Sequence, residues 1–233
     1  MTDIPILFSA PMVNAELDDR KTMTRRLAVA ERFYRPGAKI PADARAVEGG
    51  FVADRPSFWT KVKPGDRLWV REEWRVSKKW DSTKPADLPP RAMSVLFTAG
   101  GSIANTAAGW APDLSYPPAG VTVPWAGRRR ASMHMPRWAS RLTLIVTAVK
   151  IEPLQDISDE DIVAEGAKEA FSQETAAIPG PAAYMAWQEK AFYAWRDLWV
   201  SINGQDSWND NPEVVAISFE VIKANIDAIA RAA

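Results

Sequence analysis

Cysteine is absent from this 233-residue chain, and histidine occurs once, as His134. Without cysteine the protein has no disulfides, no thiolate zinc site and no cysteine nucleophile. A single histidine argues against a histidine metal cluster, and a Ser-His-Asp triad would need His134 as its base. We therefore expect neither a metal ion nor a cofactor.

Long apolar runs are also missing. No stretch reaches the roughly 18–20 residues that span a bilayer. The apolar start of the chain, MTDIPILFSAPM, has no positively charged region before it. We therefore expect a cytoplasmic protein that does not enter a membrane, and secretion without a visible signal is the alternative.

Acidic residues are missing from one long segment, 114–151, in which all charged side chains are cations: Arg128, Arg129, Arg130, Arg137, Arg141 and Lys150. The whole chain is neutral, yet residues 1–151 carry 24 Lys and Arg against 14 Asp and Glu, whereas residues 152–233 carry 5 against 15. A basic face predicts a ligand that bears phosphate. The alternative is that the acidic last third neutralises the basic part internally.

Apolar residues are plentiful, at 47% of the chain with 11 Trp, which is enough for a sizeable core. The hydrophobic patterns predict strands at 4–8, 22–27, 67–76, 141–151 and 214–222. Cap and helix signals predict helices after Ser9, after Ser158 and over 182–202, the last with Trp187 and Trp195 in the core. This order favours an α+β fold with a small mixed β-barrel over a doubly wound sheet, which requires a Gly-rich first turn.

Three segments lie outside this pattern. Residues 32–58 are predicted to be irregular, with one hairpin around Gly49. Residues 78–125 are rich in Pro, Gly, Ala and Ser and predict a long surface insertion with one strand at 93–98. Residues 223–233 have high helix propensity. We therefore expect one domain over residues 1–222 and a C-terminal helical tail over 223–233.

A short polar motif, DRKTMTRR, occupies residues 19–26 after the first helix. Its cations can neutralise phosphate, and its hydroxyls can donate hydrogen bonds or act as a nucleophile. On these residues alone, a solvated basic face is the alternative. The spacing resembles the G-x-K-x-x-T-x-R signature of the ASCH family in the PUA-like superfamily, with Lys21, Thr24 and Arg26 in place. Asp19 replaces the Gly, and Asp tolerates a left-handed conformation at a cost of about 1 kcal/mol.

The resemblance extends to three later stretches: KPGD with LWVREEW, MHMPRWASRLTLIVTAVKIEPLQDISDEDIVAEG, and LWVSINGQDSWNDNPEVVAISFEVI. They are similar to a larger ASCH branch that is common in bacteriophage and prophage genomes. Residues 32–58 and 78–125 are not covered. The resemblance implies a single PUA-like β-barrel domain with flanking helices, and a nucleoside or single-stranded nucleic acid in a cleft between the barrel and the helices.

Some small members of the family are amidohydrolases that act on N4-acetylcytidine. The match to them implies Lys21, Thr24 and Glu165 as catalytic residues. Thr24 would be the nucleophile, Lys21 its base, and Glu165 would position the substrate amide or carry a proton to the leaving amine. Arg26 would bind an anionic group or the oxyanion.

Two other functions stay open beside this enzyme. One is a module that holds RNA or DNA without turnover, in which Lys21 and Thr24 only bind phosphate and Glu165 is an ordinary exposed helix acid. The other is a phage accessory protein that acts through protein contacts, for which the sequence indicates no partner.

The strand predicted at 67–76 supplies three more candidates for the ligand site. Trp69 is on its charged face and is placed to line a cleft. Glu72 falls on the apolar face, together with Trp74, and an acid there costs several kcal/mol unless it is bonded to an Arg or belongs to a site. Glu72 and Trp74 could line the barrel interior.

The basic segment 128–141 supplies four more candidates, because it interleaves cations with an aromatic residue. His134 and Trp138 are candidate base contacts, and Arg137 and Arg141 are candidate phosphate contacts. The alternatives are a structural hydrogen bond for His134 and a place in the core for Trp138.

Overall fold

A computed structural model describes residues 1–106, 109–121, 123–166 and 181–229. The strands of this part of the chain are β1 (Asp3–Leu7), β2 (Met23–Leu27), β3 (Val29–Tyr34), β4 (Arg45–Val47), β5 (Gly50–Pro56), β6 (Arg67–Arg71), β7 (Trp74–Arg75), β8 (Val95–Phe97), β9 (Ser102–Thr106), β10 (Gly109–Asp113), β11 (Thr143–Pro153) and β12 (Glu213–Ile222). The α-helices are α1 (Ala10–Leu17), α2 (Asp159–Ala164), α3 (Pro181–Asn203) and α4 (Gln205–Asn209).

Helices and sheets together make this an α+β protein, as predicted. Among the described residues, no strand pairing closes a sheet into a barrel. None of the described helices is both long and apolar enough to cross a bilayer.

The chain divides into two compact units. The first consists of Met1–Thr22, Pro64–Thr147 and Phe219–Ala233, and the second of Met23–Lys63 and Ala148–Ser218. The two long strands, β11 and β12, contribute residues to both units. Each unit is therefore built from segments that are distant in sequence.

In the first unit, β1, β6 and the start of β11 are neighbours in one sheet. β1 runs parallel to β6, with Ile4 beside Leu68, and β11 runs antiparallel to β6, with Leu144 beside Leu68. These three side chains are buried. The alternating apolar patterns therefore identified these strands correctly.

The strand predicted at 67–76 is broken at Glu72, so that β6 ends there and β7 joins another sheet, of order β10-β9-β8-β7. The prediction of a charged, open face around Trp69 was wrong. Trp69 is only 8% exposed, and the guanidinium carbon of Arg71 lies 5.2 Å from the centre of its ring. β6 has neighbours on both edges, and most side chains on both of its faces are buried.

Residues 78–125 are more than a surface insertion, because they contribute to a hydrophobic core. Leu88, Met93, Val95, Phe97 and Ile103 from this segment are buried in one cluster, together with Trp74, Val76, Met135 and Ala139. Burying each large apolar side chain contributes about 1.5–3 kcal/mol. The strand predicted at 93–98 supplies Met93, Val95 and Phe97, whereas Leu88 lies outside any predicted strand, in Pro-rich sequence that gave no sign of burial.

The helix α1 ends as the motif comparison predicted. Asp18 caps it, and Asp19 adopts the left-handed conformation, with φ 57°, at the position of the family's glycine. The chain then turns back, so that the backbone amides of Arg20 and Lys21 both donate to the carbonyl of Ala15, at 2.8 and 3.0 Å. This turn fixes the backbone at Lys21.

In the second unit, β2 runs antiparallel to β12, with Thr24 beside Ile217. Residues 32–58 are not irregular, since β3, β5 and β4 form an antiparallel sheet in that order. The predicted hairpin is present, and Gly49 has the positive φ of 76° that its turn requires. The sheet escaped prediction because side chains on β3 are mostly exposed and lack an apolar face.

The helices of the second unit enclose a tryptophan-rich core. Ser158 caps α2, its hydroxyl accepting from the amide of Asp161 at 3.2 Å as predicted. Trp195 is buried as predicted, and Trp187 packs against the same cluster. The cluster also contains Leu154, Ile157, Ile162, Ala191, Trp199, Trp208 and Val214.

The segment after β12 belongs to the first unit and is not the predicted helix over its described residues. It forms a single 3-10 turn at Ile226–Ala228, and residues 230–233 lie outside the described part of the chain. The Asn225 amide donates to the carbonyls of Arg137 and Ser140, at 2.9 and 2.7 Å, and Ile226 is buried. Tertiary contacts therefore override helix propensity here.

Candidate functional site

The central motif residues lie on β2. Because side chains alternate along a strand, Thr24 and Arg26 project from one face and Arg25 from the other. Thr24 is only 1% exposed. Arg26 is half-buried, its guanidinium carbon 5.7 Å from the centre of the Trp59 ring. The hydroxyl predicted to be a nucleophile is therefore shielded from bulk water.

Glu165 caps the C-terminal end of α2. Its side chain is almost fully buried, and its Oε1 is 3.3 Å from Nη1 of Arg25, which donates to it. Glu165 is thus not the ordinary exposed helix acid that the sequence left open. The Ser158 cap fixes the start of the short helix, and this places Glu165 about two turns later, at its end.

Arg25 is the buried centre of a charge cluster that extends to the surface at Lys150 and also contains Glu152, Asp161 and Glu165. Its Nη2 donates to Glu152 at 2.7 Å and to Asp161 at 2.6 Å. Lys150 Nζ lies 2.6 Å from Asp161 and 3.0 Å from Glu152. With two cations and three carboxylates, the cluster has a net charge of −1 when all five groups are ionised.

Arg25 was not among the predicted site residues, although it lies between Thr24 and Arg26, which were. Its guanidinium is fully buried, 5.7 Å from the centre of the Trp195 ring. Two signals were available in the sequence. Strand alternation turns Arg25 away from Thr24, and the acid-rich start of the predicted helix at 159–165 requires cations nearby.

Hydrogen bonding sets the protonation of the cluster. Burial alone would raise the pKa of Asp161, but hydrogen bonds from Lys150 and Arg25 outweigh it and hold that pKa below its ordinary value. Burial alone would lower the pKa of Lys150, but the bonds to Asp161 and Glu152 raise it instead. Both groups are therefore charged at neutral pH.

Acid should weaken this cluster. The pKa of Asp161 is lower in the folded than in the unfolded protein, so its contribution is complete above about pH 4 and is lost as the pH falls through the folded value. We expect Asp161→Asn to lower the free energy of unfolding by about 1–2 kcal/mol at pH 6, and by progressively less below pH 4. Urea titrations of both proteins at several pH values measure this.

The exposed Glu160, in the same helical turn, provides the control. Glu160→Gln should leave the free energy of unfolding within about 0.5 kcal/mol of the wild type at every pH. A deficit in Asp161→Asn that stayed constant down to pH 2 would contradict the pKa assignment.

Lys21 lies in the first unit and is 1% exposed. Its Nζ lies 5.8 Å from the centre of the Phe8 ring, within the range of a cation–π interaction. A buried ammonium group is costly to maintain in a protein. All three predicted catalytic residues are therefore buried, since Thr24 and Glu165 are 1% and 5% exposed.

Glu72 has the arginine partner that its predicted position required. Its two carboxylate oxygens accept from Nε and Nη2 of Arg141, both at 2.8 Å, and both side chains are buried. The Arg141 guanidinium carbon lies 4.0 Å from the centre of the Phe97 ring. Burial raises the pKa of Glu72, and Arg141 opposes this. Arg141, predicted to contact phosphate, is thus engaged by a carboxylate inside the first unit.

Arg137, the other predicted phosphate contact, is also bound to carboxylates. Its Nη2 is 2.7 Å from both Asp3 and Asp227. The hydrogen bond from Arg67 lowers the pKa of Asp3 most, burial opposes it, and Arg137 lowers it further. Arg137 and Arg141 are therefore neutralised internally, but of the three acids only Asp227 comes from the acidic last third that the alternative named.

The aromatic candidates differ in exposure. Trp74 is completely buried, and Trp138 packs against the cluster that contains it. Trp69 is buried beneath Arg71. His134 is exposed at the end of a 3-10 turn, Ser132–His134. Stacking on a base needs an open ring face, and of these four residues only His134 is exposed.

No group of three or more His, Asp or Glu side chains within the described ranges is placed to hold a metal ion. Comparisons with protein-family models, curated proteins and solved structures find no match to the chain. What can be said about function therefore rests on the motif residues and on their surroundings.

Proposed function

We propose that the protein is an amidohydrolase of the ASCH type that removes the acyl group from an N4-acylated cytidine or a similar modified nucleoside. One observation carries this proposal. The Glu165 carboxylate is buried and held by the Arg25 guanidinium, whereas a surface that only binds phosphate has no need of a buried acid.

The proposed reaction has two steps. The Thr24 hydroxyl attacks the acyl carbonyl carbon, a base, for which the resemblance implies Lys21, accepts the hydroxyl proton, and the C–N bond of the amide breaks. The leaving nitrogen of the base takes up that proton, so that cytidine is released and an ester remains on Thr24. Water then hydrolyses the ester to a carboxylic acid and regenerates the hydroxyl.

Glu165 has a supporting role in this scheme. The resemblance gives its carboxylate the role of accepting a hydrogen bond from the substrate amide. In the structure this carboxylate is bound by Arg25, which projects from the face of β2 opposite Thr24. Arg26, on the same face of β2 as Thr24, stabilises the oxyanion that forms on the acyl carbonyl. The PUA-like barrel that the resemblance implies and the cytoplasmic location expected from the sequence belong to the same proposal.

The test is incubation of the purified protein with N4-acetylcytidine and with other acylated nucleosides, with the products separated by chromatography. We expect cytidine and acetate in equal amounts, at a rate that is unaffected by a metal chelator. If cytidine does not rise above the level of the protein-free control with any of these substrates, the deacylase proposal fails.

A module that binds nucleic acid without turnover is the second candidate. Exposed cations near Arg128 and Arg129 favour it, whereas the pairing of Arg137 and Arg141 with carboxylates removes the contacts predicted from the sequence. A salt-dependent complex with single-stranded RNA or DNA, formed by a protein that deacylates none of the substrates, would support this candidate.

A further inference from the structure

Two segments of the first unit run side by side and expose a row of cations. Trp74 and Arg130 form an antiparallel bridge, as do Ser77 and Ala126. The amide of Gly127 donates to the carbonyl of Val76 at 2.8 Å. The pairing continues beyond the bridges, because the amide of Lys78 donates to the carbonyl of Trp125 at 3.0 Å. Residues 74–78 and 125–130 therefore form one rigid ribbon.

Alternation along this ribbon separates buried from exposed cations. Trp74 and Arg130 are buried on one face, and Arg130 donates to the carbonyls of Thr83 and Trp80, at 3.0 and 2.6 Å. The next pair, Arg75 and Arg129, projects from the opposite face. The buried arginine thus fixes the loop that follows β7, and the outer pair faces solvent.

We call the outer cations of the ribbon and its loop the basic edge: Arg75, Lys78, Lys79, Lys84, Arg128 and Arg129. Arg75 is partly exposed and the other five are exposed. Within the part of the chain that the structure describes, Arg129 is the one member in a salt bridge, 3.6 Å from Glu73. Asp81 accepts from the Arg128 amide at 3.0 Å and holds the loop, leaving the edge with a surplus of positive charge.

We propose that the basic edge binds the phosphate backbone of a single-stranded nucleic acid. Charge complementarity supports a polyanion, because exposed cations at neighbouring positions match a chain of regularly spaced phosphates. Trp125, 43% exposed and hydrogen-bonded through its backbone to Lys78, offers a ring on which an unpaired base stacks. A duplex keeps its bases stacked on one another, so the tryptophan favours a single strand.

This inference goes beyond the proposed deacylation and does not rest on it. Arg137 and Arg141, the phosphate contacts predicted from the sequence, are bound to carboxylates. The phosphate contacts proposed here are cations exposed to solvent. Lys78, Lys79 and Lys84 come from the segment that the family resemblance leaves uncovered.

Fluorescence anisotropy with labelled oligothymidylate and oligouridylate tests the proposal. We expect the triple variant Lys78→Ala, Arg128→Ala, Arg129→Ala to bind either strand at least about tenfold more weakly than the wild type at about 50 mM salt. The slope of log affinity against log salt should become shallower by about 2, since each lost phosphate contact on a single strand contributes about 0.7. The matched control removes three exposed cations of the second unit, Arg35, Lys39 and Lys61, and should change affinity less than about twofold.

Trp125→Ala separates stacking from charge. We expect it to weaken single-strand binding by about five- to tenfold while leaving the salt slope unchanged. It should have little effect on the weaker binding of a duplex of the same length. Equal losses for both nucleic acids would overturn the single-strand assignment.

Three results would overturn the proposal as a whole. The first is wild-type affinity for the oligonucleotides that does not depend on salt, and the second is an equal loss of affinity in the control triple variant. The third is binding to phosphatidylserine vesicles that the basic-edge triple variant loses while its affinity for the oligonucleotides is unchanged. The two proposals fail separately. The basic-edge triple variant should deacylate free nucleosides like the wild type.

Discussion

Thr24→Ala should abolish deacylation of N4-acetylcytidine, lowering kcat/KM by at least about a thousandfold, because removing the nucleophile leaves no atom to carry the acyl group. The chain offers a close control in Thr22, which is exposed and only two residues away. Thr22→Ala should keep its rate within about twofold of the wild type. Initial rates of cytidine release, measured over a range of substrate concentrations, give kcat and KM for all three proteins.

Detecting the acylated enzyme tests this prediction by a second measurement. With wild-type protein and a slowly hydrolysed acyl nucleoside, mass spectrometry of the intact chain should show the added acyl mass, and peptide mapping should locate it on Thr24. The Thr22→Ala protein should carry the same adduct and Thr24→Ala none. An adduct at another residue, or equal rates for the two threonine variants, would refute Thr24 as the nucleophile.

Arg141→Met should destabilise the protein by about 3–5 kcal/mol, because it leaves the Glu72 carboxylate buried without its cation. Replacing both partners, as Glu72→Leu with Arg141→Met, should restore stability to near or above that of the wild type, since desolvation of the charges is then avoided. Urea unfolding at pH 7 measures all three proteins. A double variant as unstable as the single one would contradict this explanation.

The neighbouring pair of Glu73 and Arg129 provides the control, because Arg129 is 64% exposed and lies 3.6 Å from its partner. Arg129→Met should change the free energy of unfolding by less than about 1 kcal/mol.

Lowering the pH should also reduce the loss of stability that Arg141→Met causes. Burial raises the pKa of Glu72, and without Arg141 nothing in the pair opposes it, so the deficit should be smaller at pH 5 than at pH 8.

Sequence reasoning succeeded where a local rule determines the conformation. Asp19 adopts the left-handed conformation at a glycine position, and Ser158 caps α2, because each depends on neighbours within a few residues. The strands with apolar alternation were found for the same reason. The β3-β5-β4 sheet was missed because side chains exposed on both faces leave no periodic pattern.

The candidate site shows the limit of that reasoning. The sequence predicted that Glu72 needs a cation, but not that Arg141 supplies it from 69 positions away. Counting charges along segment 114–151 likewise suggested open cations at Arg137 and Arg141. A count does not reveal that Asp3 and Asp227 bind Arg137 and that Glu72 binds Arg141. Arg25 was overlooked because its role depends on three acids that lie far along the chain.

The divided makeup of the first unit has a consequence for how the protein is made. Its last segment begins at Phe219, and Asn225 from that segment ties down the carbonyls of Arg137 and Ser140. Translation must therefore pass residue 225 before these contacts can form. Until then, part of the hydrophobic core in the earlier segments is exposed, so this unit completes its folding late. A fragment that ends before residue 219 should therefore not fold into a stable first unit.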